Sequence, residues 1–350
     1  MNSAETLSKV PGYLFATTKR GIRSYSANGA RQSFGVAEEL PVTVETKFDL
    51  ASLTKIVGTT ASLLHLIELG ELQVTDLACK YLEPWQGTDK SEITIAELLL
   101  HQSGLAEWRP LYFTDDLQEN VAKQISRIPL TYPRNSGRRY SDLGFISLGE
   151  IIKAITKKDL TAAFTELVFN PLGMQNTSFA PVTGEVAATS LGDWYEKNMV
   201  ATNTPYKVDL DVSSFSNWRE EYLVGQTNDG NSFHRLNGIA GHAGLFSTAE
   251  DLLIFAEAVI ANKWQAHNFL SIQGDPMQGL GFRNWHTPTK TGEEIYRGHT
   301  GFTGIALGIS PAHQGAALLL TNRLHAKGEP TPTEELWQPF LTGFCAQIVT

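Results

Sequence analysis

The chain has 350 residues, of which 42% are hydrophobic and 19% charged, as expected for one large globular domain or two closely joined lobes. Its net charge of −9 at pH 7 argues against binding to nucleic acid or to anionic membranes, because both partners are negatively charged. Two cysteines are too few for a secreted disulfide framework, and no stretch approaches the ~20 apolar residues that span a bilayer.

The N-terminal part has the pattern of strands, and the middle has the pattern of helices. Short runs at 13–17 and 22–25 flank the turn-like Lys19-Arg20-Gly21 and predict paired strands. After Ser52, apolar residues recur at three- and four-residue intervals until Gly70, which predicts a helix. Further helices are predicted at 93–101, 117–128, 142–155, 160–169 and 248–262.

The C-terminal part returns to strands, predicted at 302–309 and 316–321 around a hairpin loop, and ends in a helix at 333–348. The polar stretch at 202–235 predicts a long excursion of the chain without regular structure, which is a candidate cover for a site. The fold class is therefore α/β plus all-α, with an antiparallel sheet flanked by helices and an inserted helical lobe. Residues 1–60 and 245–350 would form the α/β lobe and 61–244 the helical lobe, with a site in the cleft between them.

Ser52 and Lys55 are the first candidate catalytic pair. Three residues apart at the start of a helix, they lie on one face, so the ammonium can reach the hydroxyl. A desolvated lysine can lose its proton and then activate a serine nucleophile. The helix N-terminus favours developing negative charge, and the serine amide is one oxyanion donor. The alternative is a chance match, since Ser-x-x-Lys occurs about once every few hundred residues.

The segment Arg139-Tyr140-Ser141-Asp142 supplies the second candidate. A tyrosine just before a helix can present its phenol to a cleft, where adjacent cations favour the phenolate or a strong hydrogen bond. In the structural alternative, Ser141 or Asp142 is simply the cap of the helix that follows. Both interpretations hold together if the cap fixes the direction of Tyr140.

Two segments compete for the third element. Lys290-Thr291-Gly292 matches Lys-Thr-Gly literally, but the sequence around it indicates an exposed turn. His299-Thr300-Gly301 instead runs towards the apolar strand at 305–309, and Gly301 and Gly304 would allow a substrate to approach closely. We therefore choose His299 over Lys290.

These three elements follow the order known from penicillin-recognising enzymes. The segment 48–55, Phe-Asp-Leu-Ala-Ser-Leu-Thr-Lys, resembles the nucleophile segment of the class C β-lactamase-like serine hydrolases, which include D-Ala-D-Ala carboxypeptidases and carboxylesterases. Within this family, the sequence most resembles the penicillin-binding-protein-4B-like hydrolases. Further matching segments lie at 98–105, 140–142, 170–174 and 241–248. The resemblance runs from about residue 12 to about 325 and implies the β-lactamase/transpeptidase-like fold.

The resemblance also implies roles for individual residues. Ser52 would be acylated, and Lys55 and Tyr140 would share general-base and general-acid work. The backbone N–H groups of Ser52 and Phe302 would form the oxyanion hole. These expectations concern positions that match the family's motifs.

Four residues would contact the substrate: Asp142, His299, Thr300 and Gly301. His299 replaces the family's usual lysine beside the substrate carboxylate, and a partly charged imidazole holds a carboxylate less firmly. Asp142 replaces the common asparagine, and its negative charge would keep Lys55 protonated. Both departures favour a peptidase or an esterase over an efficient β-lactamase.

Other candidates are interpreted as structural groups. His101 stands at a helix end, where an imidazole can bond to free carbonyls, and His242 stands in a glycine-rich turn. No spacing of His, Cys or carboxylates predicts a metal site, and no cofactor is expected. The aromatic residues that would line a pocket or serve in plain packing are Trp108, Tyr112, Phe113 and Trp285.

The predicted function is hydrolysis of a small molecule or peptide through an acyl-enzyme on Ser52. The enzyme would be a D-Ala-D-Ala carboxypeptidase, a penicillin-binding-like peptidase or a β-lactamase-related amidohydrolase. The alternatives are a carboxylesterase on the same fold and a catalytically silent binding protein; metal-assisted hydrolysis lacks ligand clusters. No signal peptide is visible, so the expected location is cytoplasmic, or periplasmic if the N-terminus has been truncated.

Overall fold

The computed structural model describes residues 9–271, 273–289 and 292–348. Its strands in chain order are β1 (Gly12–Lys19), β2 (Ile22–Gln32), β3 (Leu40–Pro41), β4 (Phe48–Asp49), β5 (Ser178–Phe179), β6 (Leu245–Ser247), β7 (Gln273–Asp275), β8 (Gln278–Gly279), β9 (Arg283–Thr289), β10 (Gly292–Gly301), β11 (Ile305–Ser310) and β12 (Gly315–Thr321). Nine of these strands form one antiparallel sheet in the order β3-β2-β1-β12-β11-β10-β9-β8-β7. The predicted antiparallel sheet, built from both ends of the chain, is therefore confirmed.

The junction between the two ends of the chain is the pairing of β1 with β12. Phe15 lies opposite Leu319 in β12 on one side and opposite Ser26 in β2 on the other. Alternate residues of β1, such as Leu14 and Ala16, are fully buried, because one face of the strand packs on the core. Sheet positions near the site are consequently fixed by residues that are far apart in sequence.

Helices fill the chain between the two groups of strands and also cover the sheet. They are α1 (Ala61–Glu68), α2 (Ile95–Leu99), α3 (Val121–Ser126), α4 (Asp142–Thr156), α5 (Leu160–Phe164), α6 (Asn170–Leu172), α7 (Trp194–Thr202), α8 (Ala249–Ile260), α9 (Ala266–Ser271) and α10 (Thr333–Ile348). A 3-10 turn at Ala51–Leu53 and a π-helical turn at Lys55–Thr60 lead into α1. The final predicted helix is confirmed with its bounds.

Several predicted helices are shorter than the hydrophobic pattern suggested. The helix α2 begins only after Thr94, whose hydroxyl and the Glu97 carboxylate form a capping box. The helix α3 begins after Asn120, which caps it through the amide of Lys123. The predicted helix at 160–169 changes after α5 into a π-helical turn at Thr165–Phe169. Capping residues and turns therefore set the bounds of these helices, although the hydrophobic periodicity extends further along the chain.

The prediction for the C-terminal strands needs a correction. The residues after Gly301 form a turn, and β11 begins only at Ile305, so the predicted strand at 302–309 starts too early. The segment His299-Thr300-Gly301 is the end of a separate strand, β10, which pairs with β11 through His299 opposite Leu307. Strands β7 to β9 were not predicted, since this stretch is rich in Gly, Pro and Asn.

A small second sheet, also not predicted, joins three distant segments in the order β4-β6-β5. It pairs Asp49, just before Ser52, with Phe246, and Phe246 with Ser178. This sheet fixes the nucleophile segment from two sides. The boundaries of the lobes, 1–60, 61–244 and 245–350, stay a prediction.

A large apolar core runs between the sheet and the helices, and a second cluster fills the opposite face of the sheet under α10. Trp337 in α10 is fully buried against Trp285 of β9, with ring centroids 5.6 Å apart. Within the described ranges, none of the helices has the length and apolar character needed to cross a bilayer.

Candidate active site

The backbone around Ser52 is held in an unusual conformation. Ala51, directly before the nucleophile candidate, has φ of 43°, a left-handed conformation that an L-residue adopts only when its surroundings impose it. The buried Asp49 carboxylate accepts the amide of Ala51 at 2.8 Å and the amide of Asn228 at 2.6 Å. Burial raises the pKa of Asp49 to about 6, although both amides favour the anion. Asp49 therefore ties the nucleophile turn to the loop at 228.

Lys55 lies beneath Ser52 and is completely buried. Its Nζ donates to Ser52 Oγ at 2.9 Å, to Asp142 Oδ1 at 2.7 Å and to the carbonyl of His242 at 3.1 Å. Burial alone would lower the pKa of Lys55, but its interactions with Asp142 and Tyr140 raise it above its ordinary value. The ammonium form is therefore favoured at rest, as expected from the sequence when aspartate replaces asparagine.

Tyr140 stands at the start of α4, as the sequence predicted. Ser141 is the N-cap: its hydroxyl accepts the amide of Gly144 at 3.2 Å and donates to the carbonyl of Ala106 at 2.7 Å. The Ser141 amide donates to His101 Nδ1 at 3.0 Å. His101 thus accepts an amide instead of bonding to free carbonyls, and together with the cap it fixes the direction of Tyr140.

The Tyr140 phenol is uncharged at rest. Burial raises its pKa above the ordinary value, although the Lys55 charge opposes this shift. Lys55 Nζ lies 4.8 Å from the centre of the Tyr140 ring, and the ring packs on His101 and His299 with centroids 4.6 and 5.7 Å away. The Tyr140 hydroxyl interacts with both Lys55 and Ser52, which lower its pKa against the effect of burial. It is therefore placed to exchange a proton with this pair.

His299 is a buried, neutral ring. Its Nδ1 lies 2.6 Å from the carbonyl of Thr300, which identifies Nδ1 as the protonated nitrogen. Burial and the positive charges of Arg283 and Lys55 hold its pKa well below the ordinary value. His299 therefore supplies no positive charge for a carboxylate. Arg283 of the neighbouring strand β9 brings a guanidinium close to it: its Nη1 donates to Thr300 Oγ1 at 2.9 Å and to Glu334 Oε1 at 2.8 Å.

The end of β10 packs directly on the nucleophile segment. A Cβ on Gly301 would lie 2.5 Å from the carbonyl oxygen of Leu50, so the small residue is required by backbone packing. This reason differs from the expected close approach of a substrate. Thr303 Oγ1 donates to the carbonyl of Asp49 at 2.7 Å, and Arg323 Nε holds the carbonyl of Phe302 at 2.9 Å.

The turn after β10 thus positions Phe302 beside Ser52. Both residues line the same cleft, as the expected oxyanion hole requires. The competing segment Lys290-Thr291-Gly292 cannot be compared in the same way, because Lys290 and Thr291 lie outside the described residues. Gly292 is the first residue of β10, at the opposite end of the strand from Gly301.

An open cleft lies above Ser52 and is both acidic and aromatic. Its acidic lining residues are Asp142, Asp193, Glu196 and Asp229. Its aromatic lining residues are Trp108, Tyr140, Tyr195, Tyr206 and Phe302. Pro205 and Tyr206 come from the predicted excursion at 202–235, so part of that segment does border the site.

The other aromatic candidates have structural roles. The Tyr112 hydroxyl donates to Glu196 at 2.7 Å, and Phe113 stacks on Phe215 with centroids 5.4 Å apart. Trp285 belongs to the apolar cluster under α10. Of the four aromatic residues named from the sequence, Trp108 lines the cleft.

His242 and Asp229 form a pair that the sequence did not predict. His242 Nε2 lies 2.9 Å from Asp229 Oδ1, which also accepts the amide of Ser232 at 2.7 Å. Burial would raise the pKa of Asp229, but His242 and the Ser232 amide bring it below the ordinary value. Asp229 therefore carries a negative charge in the cleft.

Three segments bring possible metal ligands together, although no spacing in the sequence indicated this. Ligand atoms of Asp142, Asp229 and His242 lie within 4.8 Å of one another. The Lys55 ammonium already neutralises Asp142 at 2.7 Å, and its positive charge opposes a metal cation there. A metal cation is therefore disfavoured at these three side chains.

The comparisons with known proteins agree with this geometry. A family model described as Beta-lactamase matches residues 3–338. This chain belongs to the beta-lactamase family. The predicted resemblance is thereby confirmed, and the protein is a serine hydrolase of that family.

Relatives of this beta-lactamase-family chain carry names of amide-cleaving enzymes. An "N-acetylmuramyl-L-alanine amidase" of Bacillus subtilis (strain 168) is 28% identical over 97% of this chain and 84% of the relative. A protein of Escherichia coli O157:H7 named "Putative D-alanyl-D-alanine carboxypeptidase" is 28% identical over 83% of this chain and 72% of the relative.

A solved class C beta-lactamase from Rhodobacter sphaeroides has the same fold. It superposes with a TM-score of 0.69 and 15% sequence identity, covering 98% of this chain and 99% of that chain. At this identity the likeness concerns the fold alone.

Proposed function

We propose that this beta-lactamase-family protein hydrolyses amide or peptide bonds through an acyl-enzyme on Ser52. The observation that supports the proposal is the contact of Lys55 Nζ with Ser52 Oγ, 2.9 Å long, at the floor of the cleft. A serine hydroxyl needs such a neighbouring base, since it is a weak nucleophile in its protonated form.

The first step requires Lys55 in its neutral form. Ser52 Oγ attacks the carbonyl carbon of the substrate, and the proton of the Ser52 hydroxyl passes to Lys55 Nζ. The Ser52 and Phe302 amides stabilise the negative charge on the carbonyl oxygen. Tyr140, whose hydroxyl interacts with Lys55 and Ser52, passes the proton that Lys55 received on to the leaving nitrogen. The amine leaves, and water then attacks the ester on Ser52. Lys55 and Tyr140 take the proton of the water and return it to Ser52 Oγ as the acid product leaves.

The names of the relatives support amides over esters as substrates. Both named relatives would cleave a C–N bond, in a peptidoglycan amide or in a D-alanyl peptide. Cleavage of an amide demands protonation of a poor leaving group, and Tyr140 beside Lys55 is suited to this task. An esterase of the same fold remains an outcome of the test.

The test is the intact mass of the protein after incubation with a fluorophosphonate that reacts with activated serines. We expect a single adduct on the wild type and on the control variant Ser136→Ala, whose serine is exposed and does not line the cleft. Ser52→Ala should remain unlabelled and lose at least about 1,000-fold in kcat/KM on any amide substrate.

Other outcomes assign the alternatives. A labelled Ser52→Ala protein would overturn Ser52 as the nucleophile. A wild type that reacts with no reagent would be a catalytically silent binding protein. A labelled wild type that cleaves p-nitrophenyl esters but no amides or peptides would be an esterase.

A further inference from the structure

The turn that carries Phe302 into the cleft is held by side chains from later segments of the chain. It spans residues 301–304, between β10 and β11, and the Gly304 amide donates to the Gly301 carbonyl at 3.1 Å. Arg323 stands two residues after the end of β12, and its Nε donates to the Phe302 carbonyl at 2.9 Å. The inference concerns Arg323 and rests on the proposed function, in which the Phe302 amide stabilises the oxyanion.

Arg323 contacts Phe302 at both its backbone and its ring. Besides the bond to the Phe302 carbonyl, the guanidinium carbon lies 5.0 Å from the centre of the Phe302 ring, within the range of a cation–π contact. Arg323 Nη1 also donates to the Thr331 carbonyl, at 3.1 Å, shortly before α10 begins. The donors of a guanidinium have a fixed planar arrangement, so these contacts together define where the turn lies relative to α10.

A further contact fixes the peptide group that bears the Phe302 amide. This peptide is trans, so its N–H and the carbonyl of Gly301 point in opposite directions. The Gly301 carbonyl accepts the Gly304 amide and, at 3.3 Å, the hydroxyl of Thr333, the first residue of α10. Because Arg323 holds the carbonyl two residues before Thr333, it helps to keep this hydroxyl in place.

Two more side chains hold the neighbours of Phe302. Thr303 Oγ1 donates to the carbonyl of Asp49 at 2.7 Å, which ties the turn to the nucleophile segment. Thr321 Oγ1 donates to the carbonyl of Gly304 at 2.9 Å. Among the described residues, Arg323 is the side chain that bonds to the backbone of Phe302 itself.

Arg323 is a buried cation without an anionic partner. It is 7% exposed, and within the described ranges no carboxylate forms an ion pair with it. Burial lowers its pKa to about 10, so the guanidinium stays charged at neutral pH. A buried charge that is satisfied by carbonyl oxygens and an aromatic face costs stability, and an apolar side chain would fill the same space at least as well. The retained cation therefore favours a role in the reaction over one in stability alone.

We propose that Arg323 is a positioning residue for formation of the acyl-enzyme, because it holds Phe302 so that the Phe302 amide points at the oxyanion. Without Arg323, the groups that activate the nucleophile stay in place, but the second oxyanion donor is misdirected. A misplacement of about 1 Å can lower a rate about a hundredfold. The reaction step should lose rate while the affinity for the unreacted ligand stays constant, since the negative charge is present only in the transition state.

The experiment measures the reaction of Ser52 with a neutral fluorophosphonate, as the maximal rate constant kinact and the concentration KI that gives half of it. We expect Arg323→Gln to lower kinact at least about tenfold and to change KI less than about twofold. The pH at which the labelling rate is half-maximal should stay that of the wild type, because Lys55 sets it. Circular dichroism and urea denaturation establish that each variant is folded under the assay conditions.

The matched control is Arg235→Gln. Arg235 is 6% exposed, and its guanidinium likewise holds two backbone carbonyls, those of Leu117 and Glu119, but it does not line the cleft. This variant should have a lower free energy of unfolding and an unchanged kinact. Equal losses of kinact in the two variants would assign the effect to general destabilisation and overturn the inference.

Arg323→Lys provides a second test that holds even if Arg323→Gln does not fold. It keeps the charge and the unbranched stem, but one ammonium cannot reproduce the planar set of donors. We expect kinact to fall at least about threefold. A kinact within about twofold of the wild type, in this variant or in folded Arg323→Gln, would overturn the inference.

Two further outcomes have separate meanings. A shifted pH profile in either Arg323 variant would show that the residue acts through Lys55, and this would also overturn the inference. Failure of the reagent to label wild-type Ser52 would instead contradict the proposed function.

Discussion

At the scale of single residues, the main departure from the family's pattern is Asp142 beside Lys55. The lysine must be neutral to take the proton of Ser52, yet the contact with Asp142 at 2.7 Å favours its ammonium form. The burial of Lys55 acts in the opposite direction, and Asp142 and Tyr140 together outweigh it, so that the pKa of Lys55 is raised. Activation of Ser52 should therefore increase as the pH rises.

The variant Asp142→Asn tests this balance. Without the anion, burial becomes the dominant influence, so the pKa of Lys55 falls and the neutral amine is present at lower pH. We expect the acid limb of the pH profile to move down by at least about one pH unit. The measurement is the second-order rate of Ser52 labelling by a neutral fluorophosphonate between pH 6 and 10.

Asp209→Asn serves as the control, since Asp209 is exposed, does not line the cleft and is not among the groups that shift the pKa of Lys55. Its acid limb should coincide with that of the wild type. A limb that stays in place in Asp142→Asn would show that Lys55 does not set the reactivity of Ser52.

The sequence was informative at this scale where a motif is local. Ser52 and Lys55 are three residues apart, and the cap at Ser141 fixes Tyr140, so these groups could be predicted and the structure brings them together. Asp229 and Arg283 were missed, because the folding of a loop and the register of two strands bring them to the site. No local pattern records such approaches.

At the scale of elements, the contact between β10 and the nucleophile turn sets the geometry of the site. The end of β10 carries Gly301 against the Leu50 carbonyl, and the next turn carries Phe302 into the cleft. From the sequence, Gly301 and Gly304 were interpreted as residues that allow a substrate to approach closely. The structure adds a second requirement for a small residue at Gly301, a contact between two backbones that depends on the packing of distant elements.

The variant Gly301→Ala should therefore separate these elements. Its Cβ would meet the Leu50 oxygen at 2.5 Å, so we expect a loss of about 1–3 kcal/mol in the free energy of unfolding and slower labelling of Ser52. The measurements are urea denaturation followed by circular dichroism, and the labelling rate.

Gly343→Ala is the matched substitution at a place without neighbours. Gly343 is exposed in α10, and an added Cβ meets nothing within 4 Å. Because alanine favours a helix, we expect a gain of about 0.5–1 kcal/mol and unchanged labelling. Equal behaviour of the two variants would contradict the proposed contact.

At the scale of the whole molecule, the sheet is buried on both faces by helices from different parts of the chain. The helix α8 contacts β1 and β12 from one side, and α10 covers β9 to β12 from the other. The antiparallel sheet was predictable from strand-like runs at both termini. The order of its strands and the second sheet were not, since strand pairing over long distances leaves no periodic signal.

Trp337 is the largest fully buried side chain of α10. It is fully buried against the sheet, so Trp337→Ala should lower the free energy of unfolding by about 3–5 kcal/mol. Trp194→Ala, at a half-exposed tryptophan, should cost less than about 1 kcal/mol. Urea denaturation measures the free energy of unfolding of both variants, and similar losses in the two would contradict the burial of α10.

The small sheet that clamps Asp49 and the turn that carries Phe302 have a consequence for biosynthesis. Ser52 leaves the ribosome well before β10, its turn and β12. A nascent chain therefore contains the nucleophile long before it contains the second oxyanion donor or the strand that completes the sheet. Hydrolytic competence should arise only after β12 has been synthesised, and chains that terminate before β10 should be chemically silent.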